Sequence, residues 1–163
     1  MLTKKMEDIC NRQIEREGYS SNLYLAMASW AETNGLAGIA QWLYAQAEEE
    51  RMHMLKFFRF LNERGGKAVV PEFRKPDSEY AGVEELFNEV LKHEQYITSS
   101  INEIVDLAIE LKDHATNSFL KWFVDEQLEE EASVQAVLDK LKILGKHNLY
   151  MFDRDIMNLR SAD

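Results

Sequence analysis

The chain has 163 residues and a formal net charge of −10, and 45% of its residues are hydrophobic while 29% are charged. A chain of this length forms one domain with a buried core, so we expect a single domain over residues 1–163. Nucleic-acid binding requires a basic surface, which the acidic composition argues against, whereas an acidic protein attracts cations.

Cellular location is the next property that the sequence addresses. Cys10 is the only cysteine, so no internal disulfide can form and a reducing compartment is favoured. Residues 1–8 turn acidic where a signal peptide would be apolar, and no stretch approaches the roughly 18 consecutive apolar residues of a membrane span. We therefore expect a cytoplasmic protein with neither a membrane nor a nucleic acid as its partner.

Apolar residues recur at helical spacing along most of the chain. The low content of proline and glycine, two and seven residues, also favours long helices. Thr3 is a suitable N-cap, and glycines at positions 35, 65 and 145 provide stop signals. The predicted helices span about residues 3–33, 36–64, 83–111, 115–144 and 148–159.

Residues 67–80 form the longest irregular connection and contain both prolines, Pro71 and Pro76. With the flanking glycines this segment can extend about 50 Å, and a bundle of 29-residue helices is about 44 Å long. An antiparallel neighbour would need only a few residues. The sequence therefore predicts an all-α four-helix bundle with a long crossover between helices 2 and 3 and a short fifth C-terminal helix.

Each of the four long helices carries a glutamate on its apolar face. In the second helix, Glu50 and His53 are three residues apart, so a carboxylate and an imidazole point to one side and can bind one metal ion. This pair alone is a weak signal, because glutamate is common on solvated helix faces. The glutamates of the other three helices are Glu17, Glu94 and Glu130.

The distances of these glutamates from the helix turns predict that they meet. Glu17 lies 17 residues before the turn at residue 34, and Glu50 lies 16 residues after it. Glu94 lies 19 residues before the turn at residue 113, and Glu130 lies 17 after it. These mismatches correspond to about 1.5 and 3 Å along the helices. Buried carboxylates must be paired, neutralised or coordinated, and oxygen ligands with one nitrogen favour iron over zinc.

The combined motif consists of Glu17, Tyr24, Glu50-x-x-His53, Glu94 and Gln127-x-x-Glu130. This set resembles the ferroxidase centre of the bacterial non-haem ferritins. The similarity extends over the whole chain and includes the helix lengths, the long second connection and the fifth helix.

This resemblance implies a role for each matching residue. Glu17, Glu50 and His53 would hold a first iron. Glu50 would bridge to a second iron, whose site Glu94 and Glu130 would complete. Two iron(II) ions would bind, lose one electron each to dioxygen or peroxide, and leave as ferric mineral. The family also implies a homo-oligomeric cage of twenty-four subunits with the mineral inside.

Further residues gain a role only through the resemblance. Gln127 would lie close to bound dioxygen, and Tyr24 would act as a hydrogen-bond partner or a one-electron donor. A third iron site on the cavity side would use Glu49, Glu126 and Glu129, together with the shared Glu130.

Departures from related families refine the prediction. Gln127-x-x-Glu130 stands where other di-iron carboxylate proteins have a second Glu-x-x-His, so one iron would lack a histidine and bind transiently. Bacterioferritins place a haem-binding methionine where this chain has Arg51, so no haem is expected. The acidic pair that lines the three-fold pores of animal ferritins falls on Asn117 and Leu120.

Two other functions remain compatible with the sequence. A non-storing di-iron oxidase or peroxidase would bind only a few irons per chain. A metal-free helical interaction bundle would become more stable when Glu50 and His53 are replaced by alanine, and it would show no iron chemistry. Outside the motif, His93 is predicted to be exposed, and Gly18 has no role beyond local softness of the first helix.

Overall fold

The computed structural model describes residues 2–160, which form an antiparallel bundle of four long helices. The helices are α1 (Lys4–Thr33), α2 (Ala37–Glu63), α3 (Val83–Glu110) and α4 (His114–Leu144). The pairs α1–α2 and α3–α4 form two hairpins, and α1 also packs on α3. The predicted all-α bundle is confirmed, and residues 2–160 contain no β-strand.

Local capping explains where α1 and α4 start. The Thr3 hydroxyl accepts a hydrogen bond from Met6 N at 3.2 Å at the start of α1. The Asp113 carboxylate does the same for Thr116 N at 3.1 Å at the start of α4. Asp113 also forms a two-pronged pair with Arg64, at 3.1 and 3.2 Å, which links the end of α2 to the start of α4.

The crossover, residues 64–82, runs along α1 for most of its length. Asn11 bonds the Lys67 carbonyl and the Val69 amide at 3.0 and 2.9 Å. Farther along, the Arg74 guanidinium lies 4.4 Å from the centre of the Tyr19 ring, and Tyr80 packs edge-on against Trp30. The connection therefore crosses from one end of the bundle to the other, as its length predicted.

Gly18 gains a structural role from this crossover. A Cβ atom at position 18 would lie 2.5 Å from the ring of Phe73 and 2.9 Å from the sulfur of Met54. Real side chains do not approach so closely, so only glycine lets the crossover aromatic ring rest on α1. Close packing, rather than local softness, accounts for this residue.

The C-terminal segment differs from one continuous helix over residues 148–159. It consists of a seven-residue α5 (Leu149–Asp155) between two 3₁₀ turns, Lys146–Asn148 and Ile156–Leu159. Tertiary contacts fix this segment on the bundle. Phe152 and Ile156 are buried, and Asp153 Oδ1 accepts a hydrogen bond from Ile39 N at 2.8 Å. Gly38 lacks a side chain where the Asp153 carbonyl passes, which permits this close docking on α2.

A polar layer divides the apolar core into two clusters. One cluster surrounds Tyr24, Trp42 and Phe87 and includes the buried residues of α5. The other surrounds Phe57 and Phe123 at the opposite end of the bundle. Between them, each long helix contributes buried polar residues, and these are Gln13, Glu17, Ser20, Gln46, Glu50, His53, Glu94, Gln127 and Glu130. Among the helices of the described chain, none has the length and apolar character needed to cross a bilayer.

Candidate metal centre

All four glutamates and the histidine predicted as ligands lie in the polar layer. Glu17, Glu50 and Glu94 are fully buried, His53 is 3% exposed and Glu130 is 5% exposed. Each glutamate comes from a different helix, so the bundle geometry brings together residues that are up to 113 positions apart in the sequence. Burial at this depth requires that the carboxylates be neutralised by protons or by cations.

Glu17, Glu50 and His53 form one compact group of potential metal ligands. One ligand atom from each lies within 4.8 Å of the others. His53 Nδ1 is 3.3 Å from Glu50 Oε2 and 4.0 Å from Glu17 Oε2. The helical spacing of three residues places the glutamate and histidine of α2 side by side, and α1 supplies the third ligand.

A second group combines His53 with Glu126 and Glu130. Their ligand atoms also lie within 4.8 Å of one another, and His53 Nε2 is 3.8 Å from Glu126 Oε1. The two imidazole nitrogens therefore face two different acidic groups. The resemblance placed Glu126 only in a third site, whereas the geometry puts it within reach of the histidine as well.

Glu94 is held by its neighbours rather than grouped with the histidine. The Tyr24 hydroxyl donates a hydrogen bond to Glu94 Oε1. Gln127 Nε2 donates to Glu94 Oε2 at 3.1 Å and lies 3.3 Å from Thr98 Oγ1. Tyr24 of α1 and Gln127 of α4 therefore orient the carboxylate of Glu94, and Thr98 of α3 contacts Gln127 in turn.

Two glutamines in the polar layer contact the predicted ligands and were not assigned a role from the sequence. Gln13 Nε2 donates to Glu17 Oε1 at 2.8 Å. Gln46 Nε2 donates to Glu130 Oε2. Their positions carried a signal, because each glutamine lies on the apolar face four residues before a glutamate, Glu17 or Glu50. A polar residue at such a site is expected to bond a buried partner.

The unpartnered atoms of the centre test whether a cation fits there. In the part of the chain that the structure describes, five buried side-chain nitrogen or oxygen atoms have no hydrogen-bond partner. Four of them are Glu17 Oε2, both carboxylate oxygens of Glu50, and His53 Nδ1. Unsatisfied buried acceptors are costly, and a cation bound among these atoms would satisfy them all. The donor set, mostly oxygen with one nitrogen, matches iron.

The protonation states are set mainly by burial. Burial raises the pKa of Glu17 to about 7, although the hydrogen bond from Gln13 opposes the shift. Burial, together with the neighbouring carboxylates, raises the pKa values of Glu50 and Glu130 well above their ordinary range. Burial lowers the pKa of His53 to about 4, so its imidazole is neutral and able to bind metal at neutral pH.

A small cavity of about 30 Å³ lies beside the centre, and its lining includes Glu49, Glu126 and Glu129, the acids that the resemblance assigns to a third iron site. It is lined by acids and by one arginine. Arg160 Nη2 is 2.6 Å from Glu49 Oε2, so a guanidinium already pairs with one of the acids expected there. The lining residues are Trp42, Gln46, Glu49, Glu126, Glu129, Glu130, Ser133 and Arg160.

His93 corrects an expectation from the sequence. It is half-buried rather than exposed, its Nε2 lies 2.7 Å from Ser20 Oγ, and Tyr19 and Tyr24 pack against its ring. Burial lowers its pKa to about 4. The signal that could have located it is its position beside Glu94, where α3 meets α1.

The fold and the centre define a class of protein: a four-helix bundle whose core contains a carboxylate-rich, histidine-containing group of residues that can hold metal. The chain matches the ferritin-like domain over residues 7–144. On this evidence, the chain belongs to the ferritin family.

Known relatives agree with this assignment. The chain is 42% identical over 161 residues to a probable bacterial non-heme ferritin-like protein of Haemophilus influenzae, covering 98% of each sequence. It is 39% identical over 161 residues to the bacterial non-heme ferritin of Campylobacter jejuni, covering 98% of this chain and 96% of that one. A solved open-pore ferritin from Archaeoglobus fulgidus superposes with a TM-score of 0.94 at 41% identity, covering 98% of both chains.

A structure described as a humanized archaeal ferritin also superposes closely. Its TM-score is 0.95 at 40% identity, and the match covers 100% of this chain and 99% of that one. The relatives and the buried Glu–His group confirm the predicted fold, family and function, which is iron storage with ferroxidase activity.

Proposed function

We propose that Glu17, Glu50 and His53 bind one iron(II) ion, and that Glu50, Glu94 and Glu130 bind a second. The observation that carries this assignment is the set of four unpartnered buried atoms on the first three residues. Glu50 has both oxygens unpartnered, and its carboxyl group interacts electrostatically with Glu94, Glu17 and Glu130. It is therefore the residue with a free oxygen for each metal, which suits a bridge.

Oxidation follows from the chemistry of these ligands. Hard carboxylate oxygens stabilise iron(III) over iron(II), which favours loss of one electron from each ion. Two iron(II) ions supply two electrons, and dioxygen accepts them with two protons to give hydrogen peroxide. Where peroxide is the oxidant, the same two electrons and two protons give two waters. Carboxyl groups deprotonate as iron(II) binds, because their pKa values are raised.

Tyr24 and Gln127 support this chemistry through Glu94. Both donate hydrogen bonds to that carboxylate and restrict its orientation. A phenol in direct contact with a ligand is also placed to supply a single electron when only one iron is bound. The amide of Gln127 cannot ligate as strongly as the histidine found in other di-iron proteins, so the second iron is held loosely and can leave as product.

Glu49, Glu126 and Glu129 form the third iron site of this proposal, with Glu130 shared. Glu126 faces His53 Nε2 at 3.8 Å and also lines the cavity that contains Glu49 and Glu129. Glu126 therefore lies between the di-iron centre and the cavity of the third site. Ferric product moving from the centre would pass from Glu130 to Glu126 and then to Glu49.

The chain acts as a homo-oligomer in this proposal, with twenty-four subunits around a mineral cavity in the cytoplasm. The described surface retains large exposed apolar side chains that a monomer would not favour, including Leu128 at 70%, Ile109 at 60% and Ile143 at 79% exposure. The relative from Archaeoglobus fulgidus is described as an open-pore ferritin, and a pore is a property of an assembly.

Aerobic addition of iron(II) tests the proposed function. Absorbance records oxidation, and size-exclusion chromatography followed by iron analysis records how much iron stays with the protein. A ferritin oxidises iron faster than buffer and retains hundreds of irons per assembly. Fast oxidation with only a few irons retained per chain would instead indicate a non-storing di-iron oxidase. A small species that oxidises no faster than buffer would contradict both.

A further inference from the structure

We propose that Arg160 is an internal counter-cation of the third iron site: its guanidinium occupies this site when iron is absent, and iron must displace it to pass. The inference rests on the third site of the proposed function. It assigns a role to a residue of the C-terminal segment, far in sequence from every predicted ligand.

The contacts of Arg160 are those of a bound cation rather than of a surface side chain. The side chain is only 16% exposed and places Nη2 2.6 Å from Glu49 Oε2. Its Nη1 donates to the Trp42 carbonyl at 3.2 Å and to Gln46 Oε1 at 3.1 Å. The guanidinium also lies 5.4 Å from the centre of the Trp42 ring. Arginine stays charged at all physiological pH values, so a positive charge is present in the cavity.

A hydrogen-bond chain connects this cation to the di-iron centre. Gln46 accepts from Arg160 through Oε1 and donates to Glu130 Oε2 through Nε2. Because an amide has one acceptor end and one donor end, the guanidinium determines which end faces Glu130. Arg160 is thus a positioning residue for Glu130, acting through Gln46.

The attachment of the segment allows this side chain to move. Phe152 and Ile156 anchor the segment by burial, and Asp153 bonds the start of α2. Arg160 follows the last 3₁₀ turn in an extended conformation, with φ −76° and ψ 139°. Only its long side chain enters the cavity, so rotation of that side chain can open the site without detaching the segment.

Charge determines the direction of the exchange. Glu49 has one close cationic partner, the guanidinium, which carries a single charge. Iron(II) carries two charges, and the acids Glu49, Glu126 and Glu129 all line the cavity, so the doubly charged ion is attracted to them more strongly than one guanidinium is. A first iron at the centre does not require the exchange, whereas iron entering or crossing the third site does. The guanidinium therefore delays occupation of the third site until iron is abundant.

Anaerobic titration with iron(II), followed by calorimetry, tests this inference on the full-length assembly. Arg160→Gln removes the competing charge, so the third iron per chain should bind about tenfold more tightly or better. The affinities for the first two equivalents of iron(II) should change less. Arg160→Lys keeps the charge but cannot make all three contacts at once, so its third-site affinity should fall between those of the wild type and Arg160→Gln.

Arg154→Gln is the matched control. Arg154 belongs to the same segment but is 56% exposed and pairs with Asp155. This variant should leave all three equivalents unchanged. Addition of guanidinium ion to Arg160→Ala provides a second readout, because the small cation should weaken the third equivalent again while assembly size by chromatography stays constant.

The outcomes separate this inference from the proposed function. If the wild type binds two irons and Arg160→Gln leaves the third equivalent unaltered, the role of Arg160 is wrong and the di-iron centre stands. If neither the wild type nor any variant binds iron(II), the proposed function itself fails. A gain seen equally in Arg154→Gln would show a general charge effect and would also overturn the role of Arg160.

Discussion

The Tyr24 hydroxyl donates a hydrogen bond to Glu94, and this bond joins α1 of one hairpin to α3 of the other inside the polar layer. Both residues are fully buried. This contact lies in the same buried polar layer as the unpartnered atoms of Glu17, Glu50 and His53. The hydrogen bond is therefore part of the centre and not only part of the packing.

Tyr24→Phe removes this bond and keeps the aromatic ring. Glu94 then depends on Gln127 alone, so we expect weaker binding of the second iron and slower iron oxidation, while the first iron is retained. The unfolding free energy of the metal-free protein should fall by about 1 kcal/mol, because one buried hydrogen bond is lost. Anaerobic iron titration and stopped-flow absorbance measure these effects. Tyr96→Phe, an exposed tyrosine on α3, is the control. Equal oxidation rates in Tyr24→Phe and wild type would contradict the assigned role.

Glu50→Met replaces a buried, unpartnered carboxylate with an apolar side chain of similar length. In the metal-free protein we expect greater stability, by about 1–4 kcal/mol, because the cost of burying the acid disappears. Iron oxidation should be lost. Thermal unfolding of the chelator-treated protein and an iron assay measure the two effects. Glu48→Met, at an exposed position two residues earlier on α2, is the matched control and should alter neither strongly. Retained oxidation in Glu50→Met would exclude Glu50 as the bridge.

The metal-free protein should lose stability as the pH rises from 6.5 through about 7. The pKa of Glu17 rises on folding from 4.5 to about 7, so its contribution is complete below pH 4.5 and is lost as the pH passes its folded value. His53 has the opposite shift, from 6.5 to about 4. Its contribution is present above pH 6.5 and is lost on acidification towards pH 4. Above pH 6.5 the ionisation of Glu17 therefore lowers the stability without an opposing contribution from His53.

Unfolding midpoints of the chelator-treated protein across this pH range measure the effect. Glu17→Gln should flatten the dependence near neutrality. Iron(II) affinity should change in the other direction and increase with pH over the same window, because metal binding releases protons from the carboxyl groups. A flat stability profile between pH 6.5 and 7.5 in the wild type would contradict the assignment.

Gly18→Ala should destabilise the protein although alanine is the better helix former. The added Cβ would meet Phe73 at 2.5 Å, and overpacking of this kind costs about 1–3 kcal/mol, which exceeds the helix-propensity gain of about 1 kcal/mol. Phe73→Ala in the same chain should recover most of the loss. Gly82→Ala serves as control, since no atom lies within 4 Å of its added Cβ. Thermal unfolding of the wild type, Gly18→Ala, Phe73→Ala and the double variant measures the coupling, with Gly82→Ala as the fifth protein.

The periodicity of the sequence was sufficient to locate the four long helices and the residues that meet in the polar layer. Each helix buries one face, so Glu17, Glu50, Glu94 and Glu130 could be recognised as interruptions of an apolar stripe. Their distances from the turns then predicted a common depth, because the rise per residue is constant. For the same reason, the long crossover followed from the number of residues between α2 and α3.

The sequence by itself determined the all-α bundle, the crossover and the interior position of the glutamates, since these depend on helical period and chain length. The half-burial of His93, the role of Gly18, the interrupted C-terminal segment and the pairing of Arg160 with Glu49 were decided by tertiary structure alone. Each depends on contacts between segments far apart in the chain, which local periodicity does not encode. The spacing of Glu50 and His53 thus predicted a metal site, whereas the position of the Arg160 guanidinium beside it follows only from the tertiary structure.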